Sequence, residues 1–282
     1  PVTATADLIH LGVMLPAGDH YDAVRADIFD RVLSINPKHP FALCQQERLA
    51  RRHDDLATLT DILRRRAEDA GDVASQIAAF MSLGDLSWRA GELDDAADWY
   101  SQASQANPQW LPAVRALRSL REAQGRQSEA AELLEQEAEL AIDPDAVVAA
   151  LMSAASIWLT SYMDTERAEG LYGRVFELDP GNSVAFQRLV ALLGGREDWS
   201  ALPPIYRRRI DVAERDERIR LLIELAALWE AKLEQHEDAA TSLEEVLRLE
   251  HEHPEALINI ARIYRHLGRW RAAAVALERL VK

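Results

Sequence analysis

The chain predicts an all-α fold, a stack of short amphipathic helical hairpins, and three observations carry that prediction. The first is a bulky residue that recurs as Phe29, Leu63, Tyr100, Leu134, Tyr172, Tyr206, Leu243 and Leu277, at steps of 34, 37, 34, 38, 34, 37 and 34 residues. The second is the position four residues earlier, held by Arg25, Leu59, Ala96, Ala130, Ala168, Leu202, Ala239 and Ala273, small in most units. A small residue one turn before a bulky one lets two helices approach while the bulky side chain fills the space beside them. The third is punctuation: Asn36-Pro37, Asn107-Pro108 and Asp179-Pro180 close alternate units at steps of 71 and 72 residues. Strand signals are missing, since no stretch sustains a polar–apolar alternation.

The alternating step makes a pair of units the repeating object, its second member longer by three or four residues. The extra residues follow Arg66, Leu140 and Val212 and should lengthen a helix or loop there. Eight units result, near residues 6–39, 40–76, 77–110, 111–148, 149–182, 183–219, 220–253 and 254–282. A chain of 282 residues suits such an array, in which each unit buries surface only against its neighbours. Hydrophobic content of 48% beside 28% charged residues describes a folded globular chain, not a disordered one.

Along the chain, Leu8 to Leu15 reads as a truncated first helix ending at Pro16-Ala17-Gly18. The second unit opens at Pro40, suited to a helix's first turn, where its missing N–H costs nothing. Its helices are FALCQQERLARR and DLATLTDILRRRAED. The third unit is the fullest. Leu83-Gly84 lie mid-way through one helical pattern, Gly91 breaks it, and a second pattern carries Ala96, Tyr100 and Ala103 to Asn107-Pro108. Phe80, Leu83, Gly84, Ala96, Tyr100, Ala103 and Pro108 stand at the signature positions of the tetratricopeptide repeat, and the chain resembles that family. The family's late first-helix aromatic is displaced, with Ser87 in its slot and Trp88 next to it. The resemblance implies a tetratricopeptide-type α-solenoid, a right-handed superhelix of antiparallel helix pairs.

In the fourth unit, Ser128 is placed to cap the second helix. Asp143-Pro144-Asp145 then makes a longer connection. Ala146 to Met163 carries no charge over eighteen residues, the lower edge of membrane-spanning length. Ser153, Ser156, Thr160 and Ser161 make it only weakly apolar and the repeat register continues beyond it, so a deeply packed first helix is expected and no membrane span. Pro203-Pro204 fall inside the sixth unit's expected second helix, which must start late or kink. The seventh unit resumes the norm. The eighth has Tyr264 in its usual place and Gly268 at the turn. Its second helix stops at Val281-Lys282.

Both ends read as cut from a longer array, and Pro1 to Ala6 shows neither an initiator Met nor a signal-type pattern. A cytoplasmic setting is the expectation. Only Lys38, Lys232 and Lys282 are lysines, and arginine with abundant alanine points to a GC-rich, bacterial genome. Net charge of −15 argues against nucleic acid as a partner. The single Cys44 excludes a disulfide framework and reads as a plain core or groove residue. His251-Glu252-His253 falls in a loop without a third ligand in register, and Gly194-Gly195 has neither the strand nor the GK[ST] of a phosphate loop. No catalytic motif, metal or cofactor is expected.

Function is therefore expected from surface geometry. The resemblance implies a scaffold that holds another protein's peptide or helix along a concave face lined by first helices. Two other readings stay open: a self-assembly segment, and a regulatory arm of a larger enzyme or signalling protein. In register, Arg48, Arg51, Arg115, Arg188, Arg262 and Arg265 fall on inner-face positions of second members of pairs. Met81, Asp85, Trp88, Ser153 and Ile157 fall in comparable places of first members. Such arginines either form a ladder for an acidic partner segment, with Trp88 as apolar anchor, or pair with carboxylates of their own helices. Asn259 matches one position of the family's clamp for chaperone carboxylate termini, but the clamp's lysines are missing, so that role does not follow.

Overall fold

The computed structural model describes residues 2–16, 18–68 and 71–281. Pro1, Ala17 of the expected Pro16-Ala17-Gly18 stop, Asp69, Ala70 and Lys282 lie outside the described residues. Among the described residues the chain is helical throughout, with no strand. It divides into two compact units, at Ile142 and Asp143. Unit one holds α1 (Val2–Met14), α2 (Asp19–Ile35), α3 (Pro40–His53), α4 (Leu56–Glu68), α5 (Val73–Ala90), α6 (Leu93–Ala106), α7 (Leu111–Ala123) and α8 (Gln127–Leu140). Unit two holds α9 (Pro144–Ser161), α10 (Thr165–Leu178), α11 (Ser183–Gly195), α12 (Leu202–Val212), α13 (Arg215–Ala231), α14 (His236–Leu249), α15 (Pro254–His266) and α16 (Trp270–Val281). Within each unit every helix packs on its neighbours in sequence, which makes a stack of four hairpins.

The repeating bulky residue is the core of each hairpin. Phe29, Leu63, Tyr100, Leu134, Tyr172, Tyr206 and Leu243 are all less than a tenth exposed, and Ala96, Ala130, Ala168 and Ala239 below them are fully buried. Leu277 departs from the expectation at 44% exposure; the main packing partner of α16 is α15. The added residues of each pair lie in first helices: α5, α9 and α13 run 18, 18 and 17 residues, against 14, 13, 13 and 13 for α3, α7, α11 and α15. These long helices start at Val73, Pro144 and Arg215, upstream of the limits read at 77, 149 and 220. The bulky residue locates the middle of a hairpin, not where an added helical turn begins.

The ends of the helices follow local chemistry. Pro40 sits in the first turn of α3, and α12 starts late, after a 3₁₀ turn at Trp199–Ala201, with a proline in its first turn. Gly91 and Gly268 turn the chain at φ of 83° and 70°, a region open to glycine without Cβ strain. Two expectations need correction. Ser128 does not cap α8, because the helix already begins at Gln127. α1 extends back to Val2, since the threonine–alanine stretch before Leu8 is helix-compatible although it shows no apolar pattern. Of the two expected places for Cys44, core or groove, the structure has the second: it is exposed, on the same stripe of α3 as Phe41, Arg48 and Arg51.

α9 is the one described helix long and apolar enough to cross a membrane by length and composition. It is two-faced: Ala150, Leu151, Ala154, Ala155 and Trp158 are buried, while Ser153, Ser156 and Thr160 form an exposed stripe. Ser153 Oγ donates to the Ala149 carbonyl at 2.8 Å and Thr160 Oγ1 to that of Ser156 at 2.7 Å, so these hydroxyls are satisfied within the helix.

Candidate functional site

In both units a cavity opens between consecutive first helices, and the bulky residue of the intervening second helix lines it. In unit one, about 300 Å³ lies between α1 and α3, with Phe29 at its base and Val13, Phe41, Gln45 and Arg48 around it. In unit two, about 310 Å³ lies between α11 and α13, lined by Phe186, Gln187, Val190, Arg220 and Glu224, with Tyr206 of α12 at its base. The Tyr206 hydroxyl donates to Glu224 Oε2 at 3.3 Å. Burial first, and then the Glu224 charge, push that phenol up to about 12. It therefore stays a neutral donor at physiological pH.

The predicted site residues divide into free and committed groups. Arg48, Arg188 and Arg265 are exposed and make no salt bridge among the described residues. Arg51 pairs with Glu47 at 2.9 Å, and Arg66 of α4 pairs with the same carboxylate. Arg115 is held by Glu137 at 2.6 Å, and Arg262 by Glu230. Asn259 accepts from Arg262 at 3.4 Å, so it too faces a neighbour on its own helix. Asp85 takes the Tyr100 hydroxyl at 2.7 Å. Met81 and Trp88 are half-buried against the Tyr100–Leu120 cluster, and Trp88 stands edge-on to Tyr100 at 6.2 Å. In unit two, Ser153 is exposed and Ile157 half-buried. Trp88 is thus largely a core residue; the aromatics that border the two cavities are Phe29, Phe41, Phe186 and Tyr206.

Residues 56–109 and, separately, residues 230–282 match the tetratricopeptide repeat family. The chain carries tetratricopeptide repeats. Among solved structures, it is similar to a tetratricopeptide repeat protein from Parabacteroides merdae, at 16% identity and a TM-score of 0.38, over 84% of this chain and 90% of that one. It is also similar to MamA from Desulfovibrio magneticus, at 19% identity and a TM-score of 0.34, over 61% of this chain and 93% of that one. A third likeness is to the Cut9–Hcn1 hetero-tetramer of the APC/C, at 13% identity and a TM-score of 0.32, over 92% of this chain and 49% of that one. Comparison with curated proteins gives no match.

Within the tetratricopeptide register, Glu137, which commits Arg115, sits at a position that the sequence reading passed over. Three residues after each bulky residue come Val32, Arg66, Ala103, Glu137, Val175, Arg209, Val246 and Leu280. Most units place a small or apolar side chain there, so a charge at that position must find a partner as it is buried. Glu137, 7% exposed, takes both Arg115 and Arg118 of α7. Arg209, also 7% exposed, binds Glu217 at 2.6 Å and donates to the Pro180 carbonyl at 3.1 Å. A charge standing out of register was the signal available. The two histidines before proline have a structural use as well. His39 and His253 cap α3 and α15, their Nδ1 atoms accepting from the Ala42 and Ala256 amides at 3.4 and 3.3 Å.

Proposed function

We propose that this chain is a scaffold that holds a peptide or helix of a partner protein along its first-helix faces. Tetratricopeptide arrays serve in general as protein-interaction scaffolds and not as enzymes. The observation that supports the finer reading is the recurrence of the cavity: both units present an opening between consecutive first helices, with an aromatic base and a polar rim. Apolar anchors of a partner segment fit the bases, and the amides of Gln45 and Gln187 can meet its backbone. The charges on this face are narrower than a six-rung ladder. Arg51, Arg115 and Arg262 are held by carboxylates, so acidic groups of a partner meet Arg48 in unit one and Arg188 and Arg265 in unit two. Each exposed pairing contributes only about 0–1 kcal/mol, so the apolar bases carry most of the affinity.

The test is retention of partners from the source organism's lysate by immobilised wild-type chain and by two variants. Arg48→Glu with Gln45→Glu alters the unit-one face, and Arg31→Glu alters an exposed site on α2 away from it. A specific partner lost by the first variant and kept by the second supports the reading. Equal retention by all three rejects it.

A further inference from the structure

A larger cavity, about 610 Å³, lies on unit two between the second helices α14 and α16, with α15 behind them. Pockets that enclose a ligand or an anchoring side chain run roughly 300–1,000 Å³. The floor is apolar: Leu247, Ile260 and Ala276 are less than a tenth exposed, and Val275 of α16 forms a wall at 56% exposure. The mouth is cationic. Arg271 makes no ion pair among the described residues. Arg279 donates to the neutral backbone carbonyl of His251. Arg248 stands 3.9 Å from Glu244, with both side chains well exposed to water. Glu244 is the single carboxylate in the described lining, and it already accepts the Tyr264 hydroxyl at 2.8 Å. Three guanidiniums against one carboxylate is a local excess of positive charge on a chain of net charge −15.

The cleft has a counterpart at an equivalent place in unit one. A comparable opening of about 520 Å³ lies between α4, α5 and α6 of unit one, although α7 packs against α6 there. Its charge is inverted, with Asp61, Glu92 and Asp95 around a single Arg64. The two openings share a place in the hairpin stack, and the side chains on their rims give them opposite signs.

We propose that the unit-two cleft is a docking site for a partner protein segment in which an apolar side chain is flanked by carboxylates. The apolar side chain covers Leu247, Ile260 and Val275, and the carboxylates meet Arg248, Arg271 and Arg279 in charge-assisted hydrogen bonds. Charge complementarity selects this occupant: a cationic segment is repelled at the rim, and an uncharged one leaves the guanidiniums unpaired as it excludes water from them. The site lies between second helices and is independent of the first-helix reading. The probe is a fluorescein-labelled, amidated peptide Asp-Asp-Leu-Phe-Asp-Asp, followed by anisotropy. Its controls replace every Asp with Lys or the central pair with Ser-Ser. Arg248→Glu with Arg271→Glu changes only exposed side chains and should weaken binding at least about tenfold, as should either peptide control. Arg174→Glu, exposed on α10 away from the cleft, should change it less than about twofold. Should the double variant lose helicity, Val275→Asp on the exposed wall gives the second measurement, again with loss expected. Binding that survives these cleft variants, binding lost equally in Arg174→Glu, or no binding by wild type overturns the proposal.

Discussion

A Cβ added at Gly84 would stand 2.4 Å from Cε1 of Tyr100, inside any real contact, and Tyr100 is itself 1% exposed and hydrogen-bonded to Asp85. The ring therefore has nowhere to go. Gly84→Ala should destabilise unit one by about 1–3 kcal/mol through overpacking. Tyr100→Ala should cost about 3–5 kcal/mol through the cavity left behind. Combining the two should cost less than their sum, because each removes the other's clash or void; additive unfolding free energies in denaturant would refute the close approach. Asp22 supplies the acid-sensitive counterpart. Its side chain is 1% exposed and joins α2 to α3 through Arg52 at 2.9 Å and His53 at 3.0 Å, with Arg25 at 2.6 Å on its own helix. Burial alone would raise its pKa, but the hydrogen bonds from Arg52, His53 and Arg25 outweigh burial and hold it below the usual carboxylate value of 3.8. A depressed folded-state pKa stabilises the fold above the unfolded-state pKa and loses that contribution as pH falls through the folded value. Acid titration of the wild type should therefore show a loss below about pH 4 that Asp22→Asn lacks, the variant being less stable than wild type at pH 7. Parallel pH profiles would remove Asp22 from the account.

At the scale of the helix, α9 has one packed face and one exposed face. Ala154 is fully buried and Ser153 beside it is exposed, so one residue of register decides the outcome. Ser153→Asp should leave the thermal midpoint nearly unchanged, within about 0.5 kcal/mol. Ala154→Asp should unfold the α9–α10 hairpin, because it buries a carboxylate without a partner. Equal tolerance of both would deny the packing described. The sequence showed Ser153, Ser156 and Thr160 only as breaks in an apolar run and led to an expectation of deep packing; their exposed stripe corrects that to packing on one face. The ends of the helices were less legible. The longer steps of 37 and 38 residues record the added residues, but only the caps record that they extend a helix and not a loop: Asp72 accepts from the Ser75 amide at 2.8 Å, and Asp143 precedes α9. A histidine cap was unreadable for a different reason. His39 and His253 act through Nδ1, a role that a residue ranking of cap preferences does not anticipate.

On the scale of the whole chain, the repeat register was legible because seven of the eight bulky residues are buried in hairpin cores, Leu277 being the exception, and a register repeated along the chain leaves few alternatives. The inner-face arginines were legible as positions but not as partners. Whether Arg115 is free depends on Glu137, which lies 22 residues on and in another helix, and no local pattern joins the two. Stability should follow the same logic of neighbours. In a stack, each hairpin is held by its own core and by the two that flank it, so damage spreads by contact and fades with distance. Tyr172 is 2% exposed at the centre of the α9–α10 hairpin, which α10 joins to α11. Tyr172→Ala should cost that hairpin about 3–5 kcal/mol. Native-state hydrogen exchange should then speed up most in α9 and α10, next in α11, and least in α5 and α6, which belong to the other compact unit. If the amides of α5 and α6 lost protection as fully as those of α10, the chain would unfold as one cooperative body, and the description as two stacks of locally coupled hairpins would fail.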